Sequence, residues 1–255
     1  MKKTISIAIL TFKEAIREKI LYNLIVFALI FIGVGAEAAY FVIGDWERIV
    51  KDISLSSIEI FGVLISVFLG VGLIAKEVDR KTAYAILSKP VSRTSFVLGK
   101  YLGLLMILGL NSIIMLIALF IALLYARSPV EFVTIQAFVL IFFQFMIIGG
   151  FALLFSTFTT PTLGAIISLT LYVIGHLSHD LQYFTSEKFS PLFRWVAKFF
   201  YLTLPNLEIL NVKPLATYST PVEGAYFLNA IVYGICYSVF LITVAVLIFR
   251  RRDLK

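Results

Sequence analysis

The chain has 255 residues, of which 60% are hydrophobic and 15% are charged, and its mean hydropathy is +1.00. This composition excludes an ordinary soluble domain, in which about a quarter of the residues are charged. The net charge of +7 does not indicate a nucleic-acid partner, because the basic excess flanks apolar segments, where membrane topology accounts for it. The chain is therefore predicted to be an all-α integral membrane protein, a single domain over residues 1–255 with about six spans.

Residues 1–20 are predicted to form an amphipathic helix in the cytoplasmic interface of the membrane. Apolar side chains recur there at spacings of three and four residues, and the charged side chains lie mostly on the opposite face. The apolar residues are Ile5, Ile9, Phe12, Ile16 and Ile20. The alternative interpretation is a frayed start to the first span.

Six apolar segments are predicted to be transmembrane helices. They cover, approximately, residues 21–43, 53–75, 95–125, 132–155, 162–177 and 225–249. Lys and Arg are about twice as frequent on the side that holds the termini as on the other side, so both termini are predicted to be cytoplasmic. The chain is thus expected to be a multi-pass protein of the cell membrane, surrounded by the lipid bilayer.

Several polar side chains fall inside these spans. Glu37 and Glu59 lie near the outer ends of the first two spans, and Asn111, Gln136 and Gln144 lie in the third and fourth. Polar groups at membrane depth are costly unless they face water or a partner, so all five are candidates for lining a pathway. The alternatives are that the two carboxylates reach the outer interface and that the amides bond across helices.

Local signals predict how the third and fifth spans begin and pack. Gly99 and Gly103 form a pair of small residues that permits close approach of another helix, which we expect within one subunit. Ser92 is predicted to cap the third span. Thr160 is predicted to cap the fifth, with Pro161 in its first turn.

Residues 178–224 form the longest connection and carry charges of both signs, as expected on the outer side. Their segment PLFRWVAKFFYL is too aromatic for a free linker and resembles a helix that rests on the membrane surface. We therefore expect an extracytoplasmic aromatic shelf.

Three potential metal ligands, His176, His179 and Asp180, lie at the outer end of the fifth span on one helical face. They could hold copper or zinc, but the pattern is short, and polar capping at the interface is the preferred interpretation. The chain has no phosphate-binding loop, no H-E-x-x-H or G-x-S-x-G motif, and a single cysteine. It is therefore predicted to bind no cofactor and to have no enzymatic activity of its own.

The most concentrated charge lies in residues 76–100, between the second and third spans. The segment has six basic side chains and two acidic ones, the bias of a cytoplasmic loop. Apolar and small residues recur at helical spacing up to Lys89, and Pro90 cannot continue a helix. We predict an amphipathic helix over residues 76–89, joined closely to two spans.

The run KEVDRKTAYAILSKPVSRTSFVLGKYLG at residues 76–103 resembles the permease subunits of ABC exporters of the type-2, six-span family. The similarity lies in the charged run, the Ser-x-Pro-x-Ser-Arg segment and the Gly-Lys-x-x-Gly entry to the third span. The segments LPNLEILN and FRRRDL are similar to permeases that serve copper-enzyme maturation. The resemblance covers essentially the whole chain, although Lys81 before Thr82 departs from the common pattern.

The resemblance implies that residues 76–89 are a coupling helix that inserts into a separate ATP-binding subunit, with the STFTT turn at residues 156–160 as a second contact. The positions implied to carry this coupling are Glu77, Asp79, Arg80, Lys81, Leu87, Pro90 and Arg93. Two permeases and two ATPases would form the working unit, with ATP and magnesium on the partner subunit. The alternative is a solvated basic loop that serves topology alone.

Three functions remain open from the sequence. The first is a permease that exports an amphiphilic or hydrophobic substrate. The second is a permease that transmits force to an extracytoplasmic partner, for example in metalloenzyme maturation, through the aromatic shelf and residues 206–211. The third and weakest is a metal enzyme based on His176, His179 and Asp180.

Overall fold

The computed structural model describes residues 2–38, 41, 44–79, 92–177, 195 and 204–251. The regular elements in these ranges are all helical. They are α1 (Lys2–Ile16), α2 (Lys19–Ala38), α3 (Trp46–Asp79), α4 (Arg93–Tyr125), α5 (Phe132–Ser156), α6 (Pro161–His176), a 3-10 turn (Leu207–Leu210), α7 (Lys213–Thr217) and α8 (Gly224–Arg251). Among them, α2, α3, α4, α5 and α8 have the length and composition to cross a membrane, and α6 is a shorter apolar helix.

The predicted all-α membrane fold is thus confirmed, while the cytoplasmic placement of the termini stays a prediction. The basic end of the bundle contains α1, the end of α3, the start of α4 and the last turn of α8. The loop end contains the start of α3, the α4–α5 turn and α7. These two names are used below.

The central helices of the bundle are α3 and α5, which pack against each other along their length. Their most apolar stretches are 67% and 72% buried inside the protein, against 28% for α2, 39% for α4 and 33% for α8. The peripheral helices therefore present apolar side chains outward, as helices in contact with lipid do. The two central helices carry many of the buried polar groups, including Lys51, Glu59 and Gln144.

The start of α3 differs from the prediction. The charged residues GDWERIVKD were expected to form a connection, but α3 begins at Trp46 and its first two turns include Lys51. The Lys51 side chain is 1% exposed, and its ammonium lies 3.3 Å from the Glu131 carboxylate and 3.1 Å from the Ser219 hydroxyl. Because partners from distant parts of the chain compensate this charge, the helix can include it.

The helix predicted over residues 1–20 is present as α1, which packs along the start of α4. A methyl group added at Gly99 would lie 2.7 Å from Cβ of Ile7, and one at Gly103 would lie 2.6 Å from Cβ of Thr11. The predicted close approach at the glycine pair is therefore confirmed, and it occurs within one subunit. Ile5, from the predicted apolar stripe, stays outward and is 51% exposed, so α1 has one face on α4 and another that is free to contact lipid.

The two predicted caps behave differently. Ser92 precedes α4, and its hydroxyl accepts a hydrogen bond from the backbone amide of Ser95 at 3.1 Å, as predicted. Thr160 holds the cap position before Pro161, but its side chain makes no capping hydrogen bond. The proline at the start of α6 has no amide hydrogen that would need a partner there.

Candidate functional site

A buried carboxylate, Glu59 of α3, is the centre of a polar cluster at the loop end. Its side chain is 1% exposed. It accepts a hydrogen bond from the Tyr172 hydroxyl at 2.9 Å, lies 3.0 Å from Nε2 of His176 and forms an ion pair with Lys213. These three partners come from α6 and α7, so one carboxylate ties together three helices.

A second layer of polar groups surrounds His176. Its Nδ1 lies 3.4 Å from the Glu208 carboxylate, and Asn211 donates to the same carboxylate at 3.0 and 3.1 Å. The side-chain nitrogen of Gln144 lies 3.4 Å from His176 Nε2 and 3.5 Å from the Leu207 carbonyl. The loop-end cluster, as the term is used below, consists of Glu59, Gln144, Tyr172, His176, Glu208 and Lys213.

The chemistry of the loop-end cluster is charge compensation. The cluster contains two carboxylates, those of Glu59 and Glu208. The His176 imidazole lies between them, and the Lys213 ammonium pairs with Glu59. An ionised carboxylate inside an apolar bundle is costly unless a cation and hydrogen-bond donors accompany it. The cluster supplies both, so it fixes the segment around the 3-10 turn and α7 onto the spans.

The cluster contains residue types that can bind a metal, Glu59, His176 and Glu208, but not in an arrangement that could hold one. Within the described ranges no group of three or more His, Cys, Asp or Glu side chains is arranged to hold a metal ion. His176 is instead engaged by two glutamates from different elements. The other two residues of the weak metal prediction, His179 and Asp180, lie outside the described residues.

The five predicted pathway residues do not converge on one site. Only Glu59 and Gln144 meet, through His176. Glu37 accepts a hydrogen bond from the Tyr125 hydroxyl at 2.8 Å at an exposed position, and Asn111 donates to the Ile107 carbonyl of its own helix at 2.9 Å. Gln136 is buried near the start of α5 with 4% of its surface exposed.

At the basic end, Lys100 is buried between two carboxylates. Its side chain is 3% exposed, it forms an ion pair with Glu77 at the end of α3, and its ammonium lies 3.5 Å from the carboxylate of Glu14 in α1. Burial raises the pKa of the Glu77 carboxyl above its ordinary value of 4.5, although the Lys100 ammonium pulls it down; the nearby Glu14 adds to the rise. The basic-end cluster is defined as Glu14, Glu77 and Lys100.

Ser156, the first residue of the STFTT turn, binds the backbone of α3 just before that helix leaves the bundle. Its hydroxyl donates to the Val71 carbonyl at 2.7 Å and accepts from the amides of Ile74 and Ala75 at 3.1 and 3.0 Å. A side chain that bonds three backbone groups of another helix fixes the relative position of both. Ser156 therefore fixes the start of the STFTT turn to α3 just before residue 76, where the predicted coupling segment begins.

Arg93, at the C-terminal flank of the charged segment, binds the end of α8. Its guanidinium donates to the carbonyls of Phe249 at 3.1 Å and Arg250 at 2.8 Å. A cation at the carbonyl end of a helix is favourable because it satisfies groups without an intrahelical partner. The start of α4 is thus anchored to the end of α8.

The structure describes only part of the predicted coupling set. Glu77 and Arg93 have the partners given above, and Asp79 is the last residue of α3. The remaining predicted positions, Arg80, Lys81, Leu87 and Pro90, lie outside the described residues.

Sequence reasoning missed several residues that the structure places in polar contacts, among them Lys100, Ser156, Lys213 and Tyr172. Lys100 and Ser156 were read only as parts of a basic run and of a neutral turn. Lys213 and Tyr172 were not considered, since nothing in the local sequence indicates that they meet Glu59. The one available signal was the segment LPNLEILN, which contains Glu208 and precedes Lys213.

Two comparisons with known proteins bear on this geometry. A family described as ABC-2 family transporter protein matches residues 5–254, nearly the whole chain. No curated protein matches the chain.

Proposed function

Because the chain belongs to the ABC-2 transporter family, we propose that it is the membrane subunit of an ATP-driven exporter whose ATP is hydrolysed on a separate subunit. Membership of this family makes the chain a transmembrane permease of an ABC transport system and implies association with an ATP-binding subunit. The direction of transport, the cargo and the coupling route are the proposed parts. ATP and magnesium belong to the partner subunit in this proposal.

The observation that carries the proposal is the continuity of α3 between two anchored ends. At the basic end the helix is held by Ser156 and by the ion pair of Glu77 with Lys100. At the loop end it is held by Glu59. These two glutamates are separated by 18 residues of helix, about 27 Å. A stiff rod of this kind carries a displacement at one end to the other as a rigid body.

The coupling segment itself is proposed to be residues 76–89. Both of its flanks are fixed: α3 by Ser156, and α4 by the contacts of Arg93 with α8. A force applied to the segment therefore moves packed helices and is not absorbed by loose flanks. The basic side chains of the segment would serve docking specificity and association rate more than affinity.

The cargo is proposed to be amphiphilic or hydrophobic, and the working unit to contain a second copy of the permease. The outward faces of the peripheral helices support this proposal. On α2, for example, Phe27, Phe31 and Val34 are all more than half exposed. An apolar helix face can contact lipid, a second subunit or a hydrophobic cargo.

A second function is favoured by the loop-end cluster. Through Lys213 and Glu208 the segment that faces the outer side in the predicted topology is tied to α3 and α6. A movement of α3 would be delivered directly to this segment. The permease would then drive an extracytoplasmic partner without moving a solute.

The experiment uses the permease co-purified with its ATP-binding subunit and reconstituted in proteoliposomes. Ser156→Ala is compared with Ser168→Ala, a buried serine whose hydroxyl bonds only within its own helix in the described structure. We expect Ser156→Ala to weaken the dependence of ATP hydrolysis on the permease by at least severalfold, and Ser168→Ala to leave it unchanged. Equal behaviour of the two variants contradicts the coupling route.

The same proteoliposomes distinguish export of an amphiphile from force transmission to an extracytoplasmic partner. Stimulation of ATP hydrolysis by added amphiphiles, with their appearance on the far side of the membrane, supports the exporter. Stimulation by a protein bound to residues 204–217, without movement of any amphiphile, supports force transmission. A permease that recruits no ATP-binding subunit contradicts both.

A further inference from the structure

A groove of about 440 Å³ lies between α4 and α8, with Met146 of α5 also in its wall. Its walls are Thr94, Leu98, Tyr101, Leu102, Leu105, Met146, Ile235, Ser238, Val239, Ile242, Thr243 and Val246. None of these side chains is charged. The volume falls in the range of small-molecule sites, about 300–1,000 Å³.

The groove is apolar and open to the lipid side. Leu98, Leu102 and Val239 form its rims and are 38%, 43% and 60% exposed. Four wall residues carry hydroxyl groups: Thr94, Tyr101, Ser238 and Thr243. The Tyr101 hydroxyl donates to the Met146 carbonyl at 3.0 Å, and the Thr243 hydroxyl donates to the Val239 carbonyl at 2.8 Å. The other eight wall residues are apolar, so the groove suits a ligand that is apolar along most of its length.

The length of the groove matches one leaflet of a membrane. On α4 it extends from Thr94 to Leu105, which is about 16 Å of helix axis. Half of the hydrocarbon core of a bilayer is about 15 Å thick. An extended acyl chain of one leaflet therefore has the length of the groove, and the end of the groove at Thr94 is at the headgroup level.

Positive charge is concentrated at that same end. Thr94 follows Arg93, which is bound to the end of α8, and the exposed Arg250 and Arg251 lie one turn beyond the groove residue Val246. A guanidinium is a strong partner for a phosphate, because it offers paired donors in a planar arrangement. The charge of this end is thus complementary to an anionic headgroup.

We propose that the α4–α8 groove is a binding site for an anionic phospholipid of the bilayer, with an acyl chain between the two helices and the phosphate at Arg250 and Arg251. The proposal does not depend on the cargo or on the ATP-binding subunit. It requires only that α4 and α8 cross the membrane side by side.

The test measures quenching of tryptophan fluorescence by brominated lipids in vesicles that contain the purified full chain, with the native Trp46 and Trp195 replaced by Phe so that the introduced tryptophan is the sole reporter. Leu98→Trp places a reporter on the groove rim, and Ile117→Trp places one on an exposed position of α4 near the loop end. We expect brominated phosphatidylglycerol to quench the rim reporter at several-fold lower mole fraction than brominated phosphatidylcholine. At Ile117→Trp the two lipids should quench alike, because that position contacts bulk lipid.

Charge variants then test the headgroup contact. Replacing both Arg250 and Arg251 by Gln should abolish the several-fold preference of the rim reporter for phosphatidylglycerol. The matched control replaces Arg48 and Arg127 at the loop end by Gln and should leave the preference unchanged. All four arginines of the test and control pairs are exposed, so replacing them should leave the protein folded.

Two results overturn the proposal. The first is equal quenching of the rim reporter by both lipids, or a preference that survives loss of both arginines. The second is protection of the rim reporter from both lipids in a protein that migrates as a dimer, since a second copy of the chain would then occupy the groove.

Discussion

The first and second halves of α3 both bury charge, but they do so in different ways. At the loop end, Glu59 is surrounded by partners from α6 and α7, so the charge is locked by several elements at once. At the basic end, Lys100 is held by Glu77 and by Glu14, whose side chain is 56% exposed. The loop-end cluster therefore acts as a fixed anchor, whereas the basic-end cluster includes Glu77 of the proposed coupling segment and can respond to a partner.

The largest expected loss of stability is at the loop-end cluster. Replacing Glu59 by Gln leaves Lys213 without its carboxylate inside the bundle, which should lower the free energy of unfolding by about 3 kcal/mol. Thermal unfolding of the purified protein measures the change. Glu37→Gln, at an exposed carboxylate with one hydrogen bond, should cost less than about 1 kcal/mol.

A double variant tests whether the ion pair is the cause. Adding Lys213→Met to Glu59→Gln removes the uncompensated ammonium and should recover part of the lost stability. If the stability lost in the double variant equals the sum of the losses in the two single variants, the ion pair between Glu59 and Lys213 does not stabilise the loop-end cluster.

A smaller loss of stability is expected at the basic-end cluster. Lys100→Met removes the one cation shared by Glu77 and Glu14 within the described structure, and it should lower the free energy of unfolding by about 2 kcal/mol. The loss should be smaller than for Glu59→Gln because Glu14 can reach water. Denaturant unfolding of both variants in the same detergent makes the comparison, and a larger loss for Lys100→Met contradicts it.

The contact between α1 and α4 should respond to a single methyl group. Gly103→Ala places Cβ 2.7 Å from the Ala8 carbonyl, so α1 must shift, at a cost of about 1–2 kcal/mol. Gly109→Ala is the matched control, since no atom lies within 4 Å of its added methyl group. Disulfide trapping between cysteines introduced in α1 and α4 should slow in the first variant and not in the second.

The smallest effect is a pH dependence at Glu77. Because its folded-state pKa is raised above 4.5, the folded protein binds this proton more tightly than the unfolded chain. The stability that the group contributes is therefore highest at low pH and falls as the pH rises from 4.5 to the raised pKa. The stability difference between wild type and Glu77→Gln should decline over that window. A rising difference would mean that the Lys100 ammonium outweighs the burial of the carboxyl.

The fold could be predicted from the sequence because membrane spans depend on local composition. The third and fourth predicted spans begin and end within two residues of α4 and α5. The predicted start of the second span was seven residues late. Charge alone placed Lys51 outside the helix, and only tertiary structure shows that Glu131 and Ser219 compensate it.

The candidate site was less predictable for the same physical reason. Glu59 and Gln144 were identified because a polar group at membrane depth is conspicuous in any sequence. Their partners were not, since Lys213 is separated from Glu59 by more than half of the chain. A contact of that kind depends on how α3, α6 and α7 pack, and a single sequence does not contain that information.

The central claim, that the basic end receives the ATP-binding subunit, is tested most directly by photo-crosslinking in the assembled complex. A photoreactive amino acid is placed at Leu87 of the proposed coupling segment or at Thr159 at the basic end, and at Arg127 or Ser219 at the loop end. We predict crosslinks to the ATP-binding subunit from Leu87 and Thr159, and none from Arg127 or Ser219. Crosslinks from the loop-end positions, or none from Leu87, would contradict the account.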